Sequence, residues 1–407
     1  MIKNAIVGQS GGPTAVINAS LAGVYETCKN LGIKTYGMKN GIAGLLKEHL
    51  EDLETVLPGE LEIELLKRTP SSYLGSCRYK LKNADENDAD YVEIFRILEK
   101  FNIGYFFYIG GNDSMDTIAK LSAYAQKIGS EIRFIGVPKT IDNDLAVTDH
   151  TPGYGSAAKY IATVMKEIIH DISVYDTKSL TIVEIMGRNA GWLTAASALS
   201  TGEDCAGPDL IYLPEIPFDT EEFLTRIQTL QETKKNLIIA VSEGIKTKDG
   251  RYVCELSADE TVVDAFEHVK LTGVGRFLEN LVAQRLKIKV RSIELSTLQR
   301  CAGHLTSRTD VTEAYQAGGA AVPAALGGNT GKMVVLKRLS DTPYQCTTDL
   351  YPIGEIANLE KTMPLSWIDV ENLQMKQELL DYARPLIQAE LPQIYLSGLP
   401  YHIRLDV

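Results

Sequence analysis

The sequence predicts an α/β protein built from doubly wound, mostly parallel sheets. Apolar runs rich in β-branched and aromatic residues repeatedly end in glycine or polar residues and are followed by helical patterns, which is typical of parallel sheets with helices on both faces. The chain has 407 residues, which is too long for one compact core and fits two domains with an appendage. Its 44% hydrophobic and 23% charged residues are ordinary for a soluble enzyme.

Hydrophobic periodicity places the elements in the order strand, polar strand end, helix. The predicted strands cover residues 4–7, 34–38, 104–109, 132–137, 180–185, 210–213, 236–241, 287–295 and 332–336. The predicted helices cover residues 15–30, 91–102, 117–128, 218–233, 310–326 and 367–382, and another helix ends near residue 170.

The run from Val137 to Asp144 is the densest group of polar side chains. Directly after an apolar strand, six residues supply two carboxylates, an amide, a hydroxyl and an ammonium. Such groups are costly to bury unless their charges are paired, so the run is either a solvated turn or a ligand site. Open α/β sheets bind ligands at the carboxyl ends of their strands, and this position favours a site with Asp142 at its centre.

Two glycine-containing turns, at residues 8–14 and 110–116, also lie between a strand and a helix. Free backbone N–H groups and the helix dipole favour an anion such as phosphate there. For the first turn, an ordinary tight βα turn fits equally well. The second carries Asn112 and Asp113, which are poor neighbours of phosphate unless Mg²⁺ bridges them. In the alternative interpretation, Asp113 and Ser114 cap the following helix.

Charge and cysteine usage narrow the possible functions. The net charge of −12 argues against a surface for nucleic acid or acidic membrane, so any phosphate must be held by local basic groups, backbone amides or metal. The six cysteines form no CxxC pair, which indicates free thiols in a reducing compartment. The amino terminus runs directly into a strand-like segment and no apolar run reaches spanning length, so we expect a cytoplasmic protein without a membrane partner.

Five segments, in this order, resemble the phosphofructokinase family. They comprise both glycine turns, the run around Asp142 and the ends of two later strands, at residues 10–12, 110–114, 138–144, 186–188 and 242–244. The resemblance covers roughly residues 1–335, and five ordered motifs coincide by chance far less often than one. It implies two similar Rossmann-like domains that face each other across a cleft. It also implies transfer of a phosphoryl group to the 1-hydroxyl of fructose 6-phosphate.

The resemblance also implies a division of the chain. We expect residues 1–145, together with about 300–340, to form the domain that binds the phosphoryl donor. Residues 146–299 would form the fructose 6-phosphate domain, and residues 341–407 a C-terminal extension that is partly helical.

Matched positions imply roles in binding and catalysis. Asp142 would be the catalytic base, Arg188 would stabilise phosphate oxygens, and Arg78 would face the transferred phosphoryl group. Lys178 and Arg291 are expected to reach a neighbouring subunit's site, in a homodimer or homotetramer with shared active sites. The residues expected to bind fructose 6-phosphate are Thr140, Ile141, Asp142, Lys178, Ser179, Met186, Gly187, Arg188, Glu243, Arg291, Thr297 and Arg300.

Two positions favour pyrophosphate as the donor. Asp113 stands where ATP-dependent members carry glycine, and its carboxylate would repel a nucleotide α-phosphate. Lys139, which directly precedes Thr140, Ile141 and Asp142, can stabilise the leaving phosphate. The residues expected to bind the donor are Gly11, Gly12, Gly111, Ser114 and Lys139, and those expected to bind Mg²⁺ are Asn112, Asp113 and Asp144.

Two alternatives remain open at the level of sequence. One is an ATP-dependent 6-phosphofructokinase, because some ATP-dependent relatives share the lysine. The other is an inactive regulatory subunit or sugar-phosphate sensor, against which the presence of Asp142, Arg188, Arg78 and Glu243 speaks.

Overall fold

Two main sheets organise the computed structural model, which describes residues 3–257, 273–355 and 359–405. Their strands are β1 (Asn4–Gln9), β2 (Thr35–Met38), β3 (Leu50–Asp52), β4 (Ile103–Gly110), β5 (Arg133–Pro138), β6 (Ser179–Ile185), β7 (Leu210–Tyr212), β8 (Asn236–Ser242), β9 (Lys289–Glu294), β10 (Lys332–Asp341) and β11 (Tyr344–Pro352). Two small ladders follow, β12 (Ile368–Asp369) with β13 (Gln374–Met375) and β14 (Tyr395–Leu396) with β15 (Leu399–Pro400).

Strand order confirms the α/β prediction. The seven-stranded sheet runs β11-β10-β5-β4-β1-β2-β3 and the four-stranded sheet runs β7-β8-β6-β9. The five central strands of the larger sheet are parallel to one another, and so are all strands of the smaller sheet. The edge strands β3 and β11 are antiparallel. The carboxyl ends of the parallel strands therefore meet at one edge of each sheet, where ligands bind in open α/β folds.

The helices cover the sheets and carry the connections between strands. They are α1 (Ile17–Asn30), α2 (Gly41–Leu45), α3 (Leu53–Val56), α4 (Glu60–Arg68), α5 (Ala89–Lys100), α6 (Asn112–Lys127), α7 (Tyr154–Ser173), α8 (Trp192–Ala195), α9 (Thr220–Thr233), α10 (Val274–Leu286), α11 (Leu298–Cys301), α12 (Arg308–Leu326) and α13 (Gln377–Ala383). None of the helices among the described residues is long and apolar enough to cross a membrane.

The inner strands β1, β4, β5, β6 and β8 are buried on both faces, which explains their continuous apolar sequences. In β4, Phe107 packs with α1 and α12 on one face, and Phe106 packs with α5 and α6 on the other. The alternation follows from the period of two along a strand. The two faces therefore hold two separate hydrophobic cores.

One predicted helix begins earlier and another is mostly wrong. We expected a helix over residues 117–128, but α6 begins at Asn112, so the polar residues of the second glycine turn form its first turn. We also expected a helix over residues 367–382, of which only Gln377–Ala383 is helical. Before it, the Asp369 carboxylate accepts a hydrogen bond from the Asn372 N–H at 3.1 Å, which favours a turn over a helix.

Candidate active site

A cleft of about 560 Å³ lies where the carboxyl ends of the two sheets face each other. Its walls follow β1, β4 and β5 on one side and β6 on the other, and they bring together all eight residues predicted for donor and metal. The residues that line the cleft are Ser10, Gly11, Gly12, Arg78, Gly111, Asn112, Asp113, Ser114, Lys139, Thr140, Asp142, Asp144, Arg188, Asn189, Ala190 and Glu360.

The first glycine turn and Lys139 form one unit. Gly11 has a φ of +75°, in the left-handed region that favours glycine, and a Cβ there would lie 3.2 Å from the Lys139 ammonium. That ammonium donates a hydrogen bond to the Gly12 carbonyl at 2.7 Å. The Ser76 hydroxyl donates a hydrogen bond to the Gly11 carbonyl at 2.6 Å. This bond holds the loop that carries Arg78 against the first glycine turn.

Lys139 is only 4% exposed. Burial lowers its pKa to about 8, although the nearby carboxylates of Asp142 and Asp144 oppose this shift. A buried ammonium beside carboxylates and backbone amides is a site where an anion can bind without displacing much water.

Asp142 lies in a turn that its neighbours hold in place. Its N–H donates to the Thr140 hydroxyl at 3.1 Å, and that hydroxyl lies 3.3 Å from the Asp142 carboxylate. The next residue, Asn143, is buried with a φ of +55° and accepts a hydrogen bond from the Thr151 N–H at 3.1 Å. Burial raises the pKa of Asp142, whereas the cationic Lys139 and Arg188 act in the opposite direction. Asp142 is half-buried and lines the cleft, a position from which its carboxylate could accept a proton.

Two further carboxylates in and beside the cleft have raised pKa values. Burial raises the pKa of Asp144 to about 7, and the charges of Asp142 and Glu360 add to the shift. Burial also raises the pKa of Glu243 to about 7, although its carboxylate accepts a hydrogen bond from the Gly187 N–H at 3.3 Å. Several carboxylates confined near one cleft could bind a cation.

The first turn of α6 supplies oxygen atoms and a helix N-terminus. Gly111 is its N-cap residue, and the exposed Asp113 lies in its first turn. The Asn112 Oδ1 atom is buried and has no hydrogen-bond partner among the residues that the structure describes. A buried amide oxygen without a partner, close to Asp113 and Asp144 in one cleft, fits a hard cation such as Mg²⁺.

The loop after β6 presents Arg188 from the opposite wall. Gly187 has a φ of +144°, and its carbonyl accepts a hydrogen bond from the Ser242 hydroxyl at 2.5 Å. A Cβ on Gly244 would overlap the Arg188 carbonyl, so the ends of β6 and β8 must pack closely. The Met186 N–H donates to the Gln299 side chain at 3.3 Å.

Arg300 lies on the donor side of the cleft. A Cβ on Gly12 would lie 3.1 Å from its Nη1 atom, and its charge acts on both Lys139 and Asp142. The Ile141 side chain packs into the core, so it can serve a substrate only through its backbone.

Other predicted sugar-phosphate residues lie outside this cleft in the single chain. Ser179 is the first residue of β6, at the end opposite Met186, and its hydroxyl donates to the Asn236 side chain at 2.8 Å. Lys178, Arg291 and Thr297 are exposed. Exposure of Lys178 and Arg291 is what a contribution to a second subunit requires.

Sequence reasoning missed Asn189, Ala190 and Glu360. Glu360 comes from the C-terminal extension and accepts a hydrogen bond from the Asn189 amide at 2.9 Å. No local sequence pattern predicts such a residue, because its position in the cleft depends on how the C-terminal extension packs.

Comparison with known proteins decides the family. The model described as phosphofructokinase matches residues 4–325. The chain belongs to this family. It is 40% identical to the pyrophosphate--fructose 6-phosphate 1-phosphotransferase of Methylococcus capsulatus, over 99% of this chain and 96% of the relative. It is 41% identical to the protein of the same name from Halomonas elongata, over 98% and 94% of the two chains.

A solved structure from the phosphofructokinase family has a similar fold over the whole chain. It is the pyrophosphate-dependent phosphofructokinase from Nitrosospira multiformis, with a TM-score of 0.89 and 37% identity. The match covers 99% of this chain and 96% of that one, so it includes the C-terminal extension as well as the family motifs.

Proposed function

We propose that the protein transfers a phosphoryl group from pyrophosphate to the 1-hydroxyl of fructose 6-phosphate, giving fructose 1,6-bisphosphate and phosphate. The observation that carries this proposal is the donor end of the cleft. There, the buried ammonium of Lys139 lies against the first glycine turn, and Asp113 lines the same wall, directly after β4. The names of the relatives at about 40% identity support the same reaction.

The donor end suits a short phosphate chain. Pyrophosphate can lie between the backbone amides of Gly11 and Gly12 and the Lys139 ammonium, which also stabilises the leaving phosphate. ATP would place its α-phosphate near Asp113, where two negative charges repel each other. The same charge that excludes ATP therefore selects pyrophosphate.

Asp142 acts as the general base on the acceptor. Its carboxylate accepts the proton of the 1-hydroxyl as the oxygen attacks the phosphoryl group, while Arg188, Arg78 and Lys139 stabilise the oxygens that carry the charge. Glu243 accepts hydrogen bonds from the sugar hydroxyls. The family resemblance assigns the 6-phosphate to Arg300 and a neighbouring subunit's Arg291, although Arg300 lies beside Gly12 of the donor turn in the single chain.

Mg²⁺ fits the cleft and would be held by Asn112, Asp113 and Asp144. When bound, the ion neutralises charge on the phosphate oxygens. Because phosphate leaves in place of ADP, the bond broken and the bond formed are close in energy, and the reaction should run readily in both directions.

The assembly implied is a homodimer or homotetramer with shared active sites, in the cytoplasm. The domain with the seven-stranded sheet would bind the donor, and the domain with the four-stranded sheet would bind the sugar phosphate. The C-terminal extension would contact both domains. The exposed positions of Lys178 and Arg291 support shared active sites, and the two walls of the cleft support the division between donor and sugar phosphate.

The test is to incubate purified protein with pyrophosphate and fructose 6-phosphate, with and without Mg²⁺, and to measure fructose 1,6-bisphosphate and phosphate together. We expect both products in equal amounts, and only with Mg²⁺ present. Sugar-phosphate binding without turnover would support a sensor, and turnover with ATP alone would support the ATP-dependent alternative.

A further inference from the structure

Residues 359–363 of the C-terminal extension lie across the active-site cleft. They are outside residues 4–325, which match the family model, and none of the motifs in the sequence includes them. Glu360 pairs with Leu145 in an isolated antiparallel bridge, directly after the turn that carries Asp142. We refer to residues 359–363 as the strap.

The strap contacts the turn of the proposed base through Lys361. Its N–H donates to the Asp144 carbonyl at 2.8 Å. Its ammonium donates to the Asp149 carbonyl at 2.6 Å and lies 3.3 Å from the Thr148 carbonyl and 3.4 Å from the Asn143 amide oxygen. The Lys361 side chain thus contacts three residues in the segment 143–149, which directly follows Asp142.

The same strap contacts the loop of the proposed phosphate-binding arginine. The Trp192 indole donates to the Lys361 carbonyl at 2.8 Å, and the Asn189 amide donates to the Glu360 carboxylate at 2.9 Å. The Lys361 ammonium also lies 5.1 Å from the centre of the Trp192 ring, within the range of a cation–π contact. Both Asn189 and Trp192 lie within four residues of Arg188.

Glu215 completes the attachment on this side. One of its carboxylate oxygens accepts hydrogen bonds from the Gly191 N–H at 2.9 Å and from the Met363 N–H at 2.8 Å. The Met363 side chain is buried in the core of the smaller sheet. The end of the strap is therefore anchored, and it cannot shift without breaking these bonds.

Lys361 is half-buried, and removing an ammonium from water is costly unless hydrogen bonds replace that water. A saturated chain of the same length would fill this space without that cost, so packing alone does not explain a lysine at position 361. The ammonium adds directional hydrogen bonds. They fix carbonyls in the turn after Asp142 to the strap, which also contacts the loop of Arg188.

We propose that the strap fixes the distance between the turn of Asp142 and the loop of Arg188, and that Lys361 is its positioning residue. The inference rests on the proposed roles of Asp142 and Arg188 in phosphoryl transfer. Neither Lys361 nor the strap backbone needs to touch a substrate. Its effect is on the alignment of base and arginine, to which reaction rates are steeply sensitive.

The test compares Lys361→Met with the matched control Lys376→Met, whose ammonium donates to the Ser366 carbonyl at 3.0 Å at an exposed site in the same extension. We expect kcat of Lys361→Met to fall about 10- to 100-fold, as for a small misalignment of reacting groups, with both KM values within about threefold of wild type. The control should keep the wild-type kcat. An unchanged kcat, or a loss confined to KM, would overturn the proposal.

Amide hydrogen exchange of the whole protein provides a second readout that does not depend on turnover. In Lys361→Met, residues 143–151 and 189–192 should exchange faster, while β4 keeps its protection. If the wild-type protein fails to use pyrophosphate but exchange changes in this way, the proposed function fails and the strap stands. Unchanged exchange would overturn the strap whatever the donor.

A milder variant keeps the proposal testable if Lys361→Met does not fold. The Tyr382 hydroxyl accepts a hydrogen bond from the Asn143 amide at 2.8 Å and donates one to the Asp149 carbonyl at 2.7 Å, so it supports the same turn. Tyr382→Phe should lower kcat about threefold, equal to a loss near 0.7 kcal/mol, without changing either KM. A wild-type kcat in this folded variant would contradict the proposal.

Discussion

At the residue scale, the site depends on a few ionisable groups whose pKa values burial moves towards neutrality. Lys139 is brought down to about 8, and Asp144 and Glu243 are brought up to about 7. The consequence is a narrow pH range in which the cation and the carboxylates are ionised together. Within that range, the cation can bind an anionic donor while the carboxylates accept protons, hydrogen bonds and metal.

We therefore predict a bell-shaped pH profile of kcat/KM for pyrophosphate. Activity should rise as pH increases through about 7, where Asp144 and Glu243 lose their protons, and fall above about 8, where Lys139 loses its positive charge. Lys139→Arg keeps a positive charge at high pH, so the alkaline fall should move upward in this variant. An alkaline limb at the same pH in both proteins would show that Lys139 does not cause it.

Asp113 should exclude ATP through its charge. In Asp113→Gly, we expect the ratio of kcat/KM for ATP to kcat/KM for pyrophosphate to increase about tenfold or more, equal to at least about 1.4 kcal/mol of relieved repulsion. The ratio cancels the loss of a proposed Mg²⁺ ligand, which affects both donors. The matched control is Asp116→Gly, in the same helix, whose carboxylate pairs with Lys120 at 2.7 Å. Equal failure of both variants to use ATP would show that Asp113 is not the barrier.

At the element scale, two glycines with left-handed backbones, Gly11 and Gly32, show why the chain needs glycine at particular positions. Gly11 combines a left-handed backbone with a close approach of the Lys139 ammonium. Gly32, in the turn after α1, has a similar φ of +69°, but among the described residues nothing lies within 4 Å of where its Cβ would be. Both positions therefore share the backbone strain that a Cβ would cause, but only Gly11 also has a neighbouring group that a Cβ would crowd.

Alanine at these two positions should therefore act differently. Gly11→Ala and Gly32→Ala should each lower the free energy of unfolding by about 1–2 kcal/mol, the cost of a left-handed residue with a Cβ. Only Gly11→Ala should raise the KM for pyrophosphate, because its methyl group displaces the Lys139 ammonium. Thermal unfolding and steady-state kinetics check both statements, and equal KM values in the two variants would contradict the second.

The elements also show what the sequence could and could not predict. The strands with continuous apolar runs, such as β4, were predicted within a residue or two, since burial on both faces leaves a strong local signal. The polar strand ends were recognised as a site because parallel strands bring their carboxyl ends together. The extension was harder to predict, because Lys361 and Glu360 acquire their roles through contacts with Asp149 and Asn189, far away in the chain.

At the scale of the whole molecule, the two sheets each contribute one wall of the cleft and the extension joins them. The exposed residue Arg291 lies on β9, outside the cleft of its own chain. If it completes the 6-phosphate site of a second subunit, each active site contains residues of both chains. The oligomer is then required for activity rather than only for stability.

Subunit mixing tests this arrangement. Asp142→Asn and Arg291→Ala should each be nearly inactive alone, but a re-equilibrated mixture should recover about a quarter of wild-type activity, because a hybrid dimer contains one intact site of two. The control is to take each variant through the same mixing procedure without the other, so that every oligomer carries a single kind of substitution. No recovery in a mixture shown to contain hybrids would place Arg291 in its own subunit's site or outside any site.

We propose that the donor end of the cleft accepts pyrophosphate and excludes ATP. The most direct measurement is kcat/KM for each donor in the unaltered protein, with saturating fructose 6-phosphate and Mg²⁺ and with fructose 1,6-bisphosphate as the measured product. We predict that pyrophosphate exceeds ATP by about a hundredfold or more, equal to a difference of at least about 2.7 kcal/mol. Rapid use of ATP with little or no product from pyrophosphate would contradict the account.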